Sequence, residues 1–214
     1  MDTNGYLEVH TPVLVDSPAM EEHLEPVSAA EGFLHTSPEF AMKRVLAAGL
    51  HRIYQITPCF RAEEVGIHHS REFTMLEWYR AGAGTAELMD DVVALIGSAA
   101  QAIGQSPPGF ERRPVSELMA EAGHVDNGDE EAWFHTWVHT VEPRLTQPTI
   151  VHGYPHWQAA LAQVKNGEAD RFEVYLSGLE IGNAFAEEGD AATLRTRFEL
   201  SAERRSAAGR PPHP

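Results

Sequence analysis

The stretch "FRAEEVGIHHSREFTMLEWYR", Phe60 to Arg80, decides the fold. Its second half alternates: Phe73, Met75, Glu77 and Tyr79 fall on one side of an extended chain, Thr74, Leu76 and Trp78 on the other. Just upstream, "HRIYQITPCFRAEE" has the β-branched and aromatic content of a partner strand, and a loop from about Val65 to Arg71 brings the chain back. The expected pair is antiparallel, over roughly residues 52–63 and 72–79. Arg61 and Glu63 then share a side. A face bearing Arg61, Glu63, Phe73, Glu77 and Tyr79 is costly to bury unless something meets its charges. Two readings stand, the floor of a ligand site or a solvated face with an incidental aromatic.

Outward from this pair, "GYLEVHTPVLV" alternates Tyr6, Glu8 and His10 against Leu7 and Val9 and then meets Pro12, as a terminating strand does. "HTSPEFAMKRVLAAG" predicts a helix over about 37–48: Thr36 and Ser37 are candidate N-caps, Pro38 suits the first turn and Gly49 the stop. Glu39 stands three after Thr36, so it completes a capping box or is left for a ligand. Helical spacing of Leu88, Val92, Leu95 and Ile96 predicts a helix over 85–103, and "DEEAWFHTWVHTVEPRL" a second one with Trp133 and Trp137 on a core-facing stripe. "PTIVHGYP" is a short strand, and "RFEVYLSGLEIGNAF" a hairpin over 171–184 turning at Ser177-Gly178. A closing helix spans 191–208, with Asp190 near its start and Gly209 at its end. Hairpins and helices without strict βαβ alternation predict an α+β fold, an antiparallel sheet flanked by helices, as one domain over 1–214 with a helical region at about 82–147.

The 214 residues suffice for one core. Sixteen basic against 32 acidic residues give a formal charge of −16, which disfavours a broad phosphate-binding surface. Cys59 is the sole cysteine, and no export signal or apolar run of about 18 residues is visible, so a cytoplasmic, non-membrane protein is expected. Cys59 has no evident base partner and is expected to be inert. His135/His139 and His152/His156 have a spacing that ligates zinc on a helix. The first pair flanks Thr136 and Trp137 rather than a catalytic Glu, and the second contains Gly153 and Pro155, so zinc is not expected.

In the 171–184 hairpin, a two-residue turn at Ser177-Gly178 sets Tyr175 opposite Glu180, with Glu173 diagonally across on the same face. Two such carboxylates either converge on a hard cation such as Mg²⁺, shared with nucleotide phosphates, or are structural or solvated.

"FRAEE" with "HHSREFTMLEWY" resembles motif 2 of the class II aminoacyl-tRNA synthetases, "RFEVYLSGLEIGNAFAE" the segment before motif 3 in the lysine branch, and "EVHTPVL" the end of motif 1, with Pro12 as its proline. Within that branch "HTSPEFAMKRVLAAG", "EFTMLEWYR" and "ERRSAAGRPPHP" are most similar to the elongation factor P lysine ligases, stand-alone paralogues of lysyl-tRNA synthetase. The resemblance runs from Tyr6 to Pro214 and is weakest between about Gly82 and Gln147. It implies ATP and Mg²⁺ as cofactors and an aminoacyl-adenylate as intermediate. Arg61 would bind the amino-acid carboxylate and the α-phosphate, and would be the catalytic residue. Phe73 would stack on adenine, with Glu63 and His69 holding base and phosphates. Glu173 and Glu180 would carry Mg²⁺. Glu39 would take the α-amino group, while Glu77, Tyr79, Asn183, Phe185 and Glu187 would form the pocket for the side-chain amine. The implied acceptor is a lysine of elongation factor P, the implied amino acid lysine or β-lysine. A lysyl-tRNA synthetase catalytic domain and a non-catalytic nucleotide- or partner-binding remnant are the alternatives. The family dimerises through a motif 1 helix and grips the γ-phosphate from motif 3. Neither is in this sequence, so a truncated domain with weakened ATP binding and dimerisation is expected.

Overall fold

A computed structural model describes residues 1, 4–18 and 24–210. The prolines after Arg210, part of the quoted tail, lie outside the described residues. The chain forms two compact units: residues 1–82 with 195–214, and residues 83–194.

In the first unit, β1 (Leu7–Glu8), β5 (Arg52–Phe60) and β6 (Glu72–Arg80) make a sheet in the order β1-β5-β6. β5 and β6 pair antiparallel, with Cys59 opposite Phe73, Gln55 opposite Glu77 and Ile53 opposite Tyr79. A second small sheet, in the order β2-β4-β3, is built from β2 (Leu14–Val15), β3 (Val27–Ala29) and β4 (Gly32–Leu34). At Gly32 the backbone of β2 passes so close that a Cβ would stand 2.7 Å from the Val15 carbonyl. Helix α1 (Glu39–Ala47) follows, and the closing helix α5 (Ala191–Ala207) joins this unit from Arg195, its Phe198 ring lying edge-on to Phe40 of α1.

In the second unit, β7 (Glu111–Pro114), β8 (Thr149–Pro155), β10 (Glu168–Leu176) and β11 (Leu179–Phe185) run in the order β11-β10-β8-β7, with β9 (Val164–Lys165) paired to β10. Helices α2 (Thr85–Ala102), α3 (Val115–Glu121) and α4 (Glu130–Thr136) complete it. Its core gathers Leu118, Met119, Trp133, Trp137, Val151, Tyr154 and Tyr175. Trp133 and Trp137 are buried with rings stacked 5.2 Å apart, so the expected core stripe is present.

Four expectations need correction. The sheets are mixed: β1 runs parallel to β5 and β7 parallel to β8, because each pair is joined by a long crossover carrying helix rather than by a turn. The expected long helix over "DEEAWFHTWVHTVEPRL" breaks after Thr136 into a π-helical turn, Trp137–Val141, and a 3₁₀ turn, Glu142–Arg144, which carries Pro143. The capping box at α1 does not form: Thr36 Oγ1 is buried without a hydrogen-bond partner, and the Glu39 N–H donates to Ser37 Oγ at 3.1 Å instead. The first strand of the pair ends at Phe60, so Arg61 and Glu63 owe their directions to the turn that follows. Among the described residues no helix is long and apolar enough to cross a membrane.

Candidate functional site

The β5–β6 register and the start of α1 bring three expected residues together in the first unit. Glu77 projects from β6 with one carboxylate oxygen accepting from Ser37 Oγ at 2.6 Å and the other from Tyr79 O–H at 2.7 Å. Tyr79 is two residues along the same strand face, so alternation alone supplies that contact. Glu39, buried at the start of α1, is joined to Lys43 one helical turn on, at 2.5 Å. Burial is the largest influence on Glu77. Against the donors Ser37 and Tyr79, which favour its charged form, and aided by the charge of Glu39, burial pushes its carboxyl up to about 7. This is an acidic, partly desolvated cluster with two hydroxyls already aimed at the Glu77 carboxylate.

Toward the other end of the strands, the Arg61 guanidinium lies 5.1 Å from the centroid of the Phe73 ring. Its Nη1 donates to Glu64 Oε1 at 3.1 Å, and its Nε to the Thr36 carbonyl at 3.4 Å. Arg61 and Phe73 are thus brought together, and Glu64, not foreseen, is the acid beside them. Glu63 is exposed, 3.7 Å from Arg210, and His69 is exposed in the loop. Cys59 is buried with its thiol pushed up to about 12, by burial first and the Glu77 charge second, which agrees with an inert thiol.

In the second unit the hairpin turns where expected: Ser177 and Gly178 both have positive φ, 55° and 81°, and Tyr175 pairs with Glu180. Glu173 is buried and ringed by donors, with Tyr154 and Tyr175 hydroxyls on one oxygen at 2.6 and 2.7 Å and Arg171 on the other at 2.6 Å. Glu180 has its surface partly open to solvent, yet desolvation of its carboxyl and the charge of Glu173 push its pKa up, while Arg171 and the Asn183 side chain pull it down. Glu142 adds a third acid to the neighbourhood and is itself raised, by burial and then by Glu173. Phe185 packs partly buried against the core, and Glu187 sits in an isolated bridge with Ala162.

One feature of this group escapes simple alternation. Glu180 and Asn183 are three apart, which in a regular strand puts them on opposite faces. Between them the register slips: Val174 pairs with Gly182 while Tyr175 pairs with Glu180, so Ile181 is the extra residue. The bulge returns Asn183 to the Glu180 side, opposite Glu173. Period two could have revealed Arg171 and Tyr175 as same-face neighbours of Glu173. Tyr154 and Glu142 come from other elements and left no local signal. His135 and His139 have rings 4.6 Å apart, and among the described residues no group of three His, Cys, Asp or Glu gathers as a metal site.

The donors of the Glu173 and Glu180 pair are hard carboxylate oxygens, and the elevation of Glu180, by desolvation and then by the charge of Glu173, is what a dication would relieve, so the residues present fit Mg²⁺.

The sequence matches the family model of class II tRNA synthetases (D, K and N) over residues 1–210, and the chain belongs to that family. It is 36% identical over 245 residues to the elongation factor P–(R)-β-lysine ligase of Erwinia tasmaniensis, covering 98% of this chain and 75% of that protein. To the ligase of the same name from Proteus mirabilis it is 35% identical over 245 residues, with 98% and 75% covered. To the elongation factor P–(R)-β-lysine ligase homolog of Aquifex aeolicus it is 33% identical over 230 residues, with 94% and 78% covered.

Proposed function

We propose that this chain is an ATP-dependent ligase that activates lysine or a lysine isomer such as β-lysine as an aminoacyl-adenylate, then transfers it to a lysine of elongation factor P in the cytoplasm. The observation that carries the reading is the Glu77 pocket: a desolvated carboxylate fixed by Ser37 and Tyr79 beside Glu39, a set that pairs with an ammonium and rejects a neutral side chain. The names of the relatives supply the acceptor.

In this reading the substrate carboxylate attacks the α-phosphorus of ATP and pyrophosphate leaves. The acceptor amine then attacks the activated carbonyl, loses its proton, and AMP departs. No protein nucleophile is needed. Arg61 offers its planar fork to the substrate carboxylate and the α-phosphate, where negative charge develops. Phe73 is the stacking surface for adenine, with Glu63 and His69 at base and phosphates. Glu39 takes the α-amino group. Glu77 and Tyr79 receive the side-chain amine, the role that the resemblance gives also to Asn183, Phe185 and Glu187. Glu173 and Glu180 would hold Mg²⁺, which supplies charge neutralisation of the phosphates when bound. Tyr154, Tyr175 and Arg171 hold Glu173 oriented for that task.

Lysine charging of tRNA is the second reading, favoured by the D, K and N family match. The −16 charge speaks against it.

The test is exchange of labelled pyrophosphate into ATP with lysine, (R)-β-lysine or leucine as the only amino acid, followed by the mass of elongation factor P after incubation. Exchange with a lysine isomer and a matching mass increment on the factor are expected, and Arg61→Ala should abolish both. Equal exchange with leucine would sink the assignment.

A further inference from the structure

The basic run near the end of α5 has no part in the reaction above, yet it holds Arg205, the largest fully buried side chain among the described residues at 1% exposure. A guanidinium is buried only where its charge and donors are met. Among its partners is one short segment: Nη1 donates to the Leu24 carbonyl at 3.2 Å, and Nη2 to Glu25 Oε1 at 2.7 Å. The backbone carbonyl of Glu25 in turn accepts the Ala62 N–H at 2.8 Å. Ala62 immediately follows Arg61, whose own N–H donates to the Arg71 carbonyl at 2.9 Å and closes the neck of the loop. Arg210, five residues after Arg205, lies 3.4 Å from the same Glu25 oxygen and 3.7 Å from Glu63. The helix end is thus tied to both sides of the Arg61–Glu64 turn, through one carboxylate and one carbonyl.

We propose that Arg205, acting through Glu25, is a positioning residue for the nucleotide half of the reaction: it fixes the backbone from which Arg61 reaches its substrate. The inference rests on the role given to Arg61 under the proposed function. Its geometry is specific. Arg205 touches the chain before the turn and not Arg61 itself, so its loss leaves every proposed substrate contact present but free to wander. Displacement by about 1 Å is enough to cost a positioned group its effect. The amine cluster depends on α1 and β6 instead, through the Ser37–Glu77 and Tyr79–Glu77 hydrogen bonds and the Glu39–Lys43 ion pair.

The experiment uses Glu25→Gln, Arg205→Met, Arg205→Lys and the milder surface change Arg210→Gln, each checked for folding by circular dichroism. Pyrophosphate exchange is measured over a range of ATP and, separately, of lysine. The expected result is a KM for ATP raised at least tenfold in Glu25→Gln, with the KM for lysine within twofold of the parent. A smaller shift of the same kind is expected in Arg210→Gln, and partial recovery in Arg205→Lys relative to Arg205→Met. A purely structural role would lower kcat through the folded fraction and move both KM values together or neither, which overturns the proposal. Hydrogen exchange at the Ala62 amide gives a readout independent of activity: faster exchange in the variants supports the tether, and unchanged exchange overturns it. If the parent protein fails to exchange pyrophosphate with any lysine isomer, the functional reading falls, and the Ala62 amide still decides whether the tether exists. If Glu25→Gln does not fold, Arg210→Gln carries the kinetic test alone.

Discussion

Glu77 is where desolvation and function pull in opposite directions. An acid whose pKa is higher folded than unfolded favours the folded state when protonated. Its contribution is therefore present below the ordinary value of 4.5 and is lost as pH rises through about 7. An ammonium substrate wants the opposite, the charged carboxylate. We therefore expect Glu77→Gln to melt higher than the parent at pH 8, with the two curves converging toward pH 5, as followed by thermal denaturation. In the same variant lysine binding should weaken by about 2–4 kcal/mol, the loss of a charge-assisted contact in a dry pocket. In the parent, kcat/KM for lysine should climb through a pH near 7, and that limb should vanish in the variant. Glu180 poses the companion problem, an acid raised by Glu173. Millimolar Mg²⁺ should raise the melting temperature of the parent, and Glu180→Gln should lose most of that gain. A gain of equal size in both would remove Glu180 from the ion's ligands.

At the scale of elements, the sequence carried those parts whose cause is local. The strand pair 52–60 and 72–80 was legible from alternation, α2 from its apolar spacing, and the Ser177-Gly178 turn from its two residues. The acidic pocket was legible only in part: Glu77 and Tyr79 share a face by period two, but Ser37 arrives from another element, and its hydroxyl looked like a helix cap. The bulge at Ile181 was not legible, because an extra residue leaves no mark in composition and shows only in the pairing with β10. Nor was the break after Thr136, where tertiary packing of Trp133 and Trp137 competes with an unbroken helix. The turn itself yields a prediction. Ser177 sits at φ 55°, a left-handed conformation that Asn adopts more readily than Ser, and Asn-Gly is the favoured pair for a two-residue turn of this kind. Ser177→Asn should stabilise the chain by about 0.5–1 kcal/mol without changing exchange activity, as read from chemical denaturation. A loss of stability would mean that the Ser177 hydroxyl has a partner the turn needs.

Over the whole molecule the decisive quantity is charge. A formal −16 spread over 214 residues sets a potential that repels polyphosphate and attracts a basic partner. In the proposed reading small substrates would be met locally, by Arg61 for negative groups and by Glu39 and Glu77 for an amine, and would feel the global field weakly. A macromolecular acceptor feels all of it during encounter. For tRNA the consequence is unfavourable, because affinity for nucleic acid comes largely from counterions released by Lys and Arg, and only sixteen such residues stand against 32 acids. For a protein presenting an acceptor lysine among basic neighbours the same field speeds association, and it does so less as salt screens it, over about 10 Å at 0.1 M. The expected outcome is therefore a split. Raising salt from about 50 to about 300 mM, a range in which the screening length falls roughly twofold, should lower kcat/KM for transfer to elongation factor P several-fold. The same change should leave the KM for lysine in pyrophosphate exchange within about twofold, since that contact is partly buried and screened less. Bulk tRNA added at micromolar concentration should neither inhibit transfer nor accept the amino acid. Transfer that is indifferent to salt, or tRNA that competes with the protein acceptor, would show that the acceptor is recognised by a local surface the net charge does not govern.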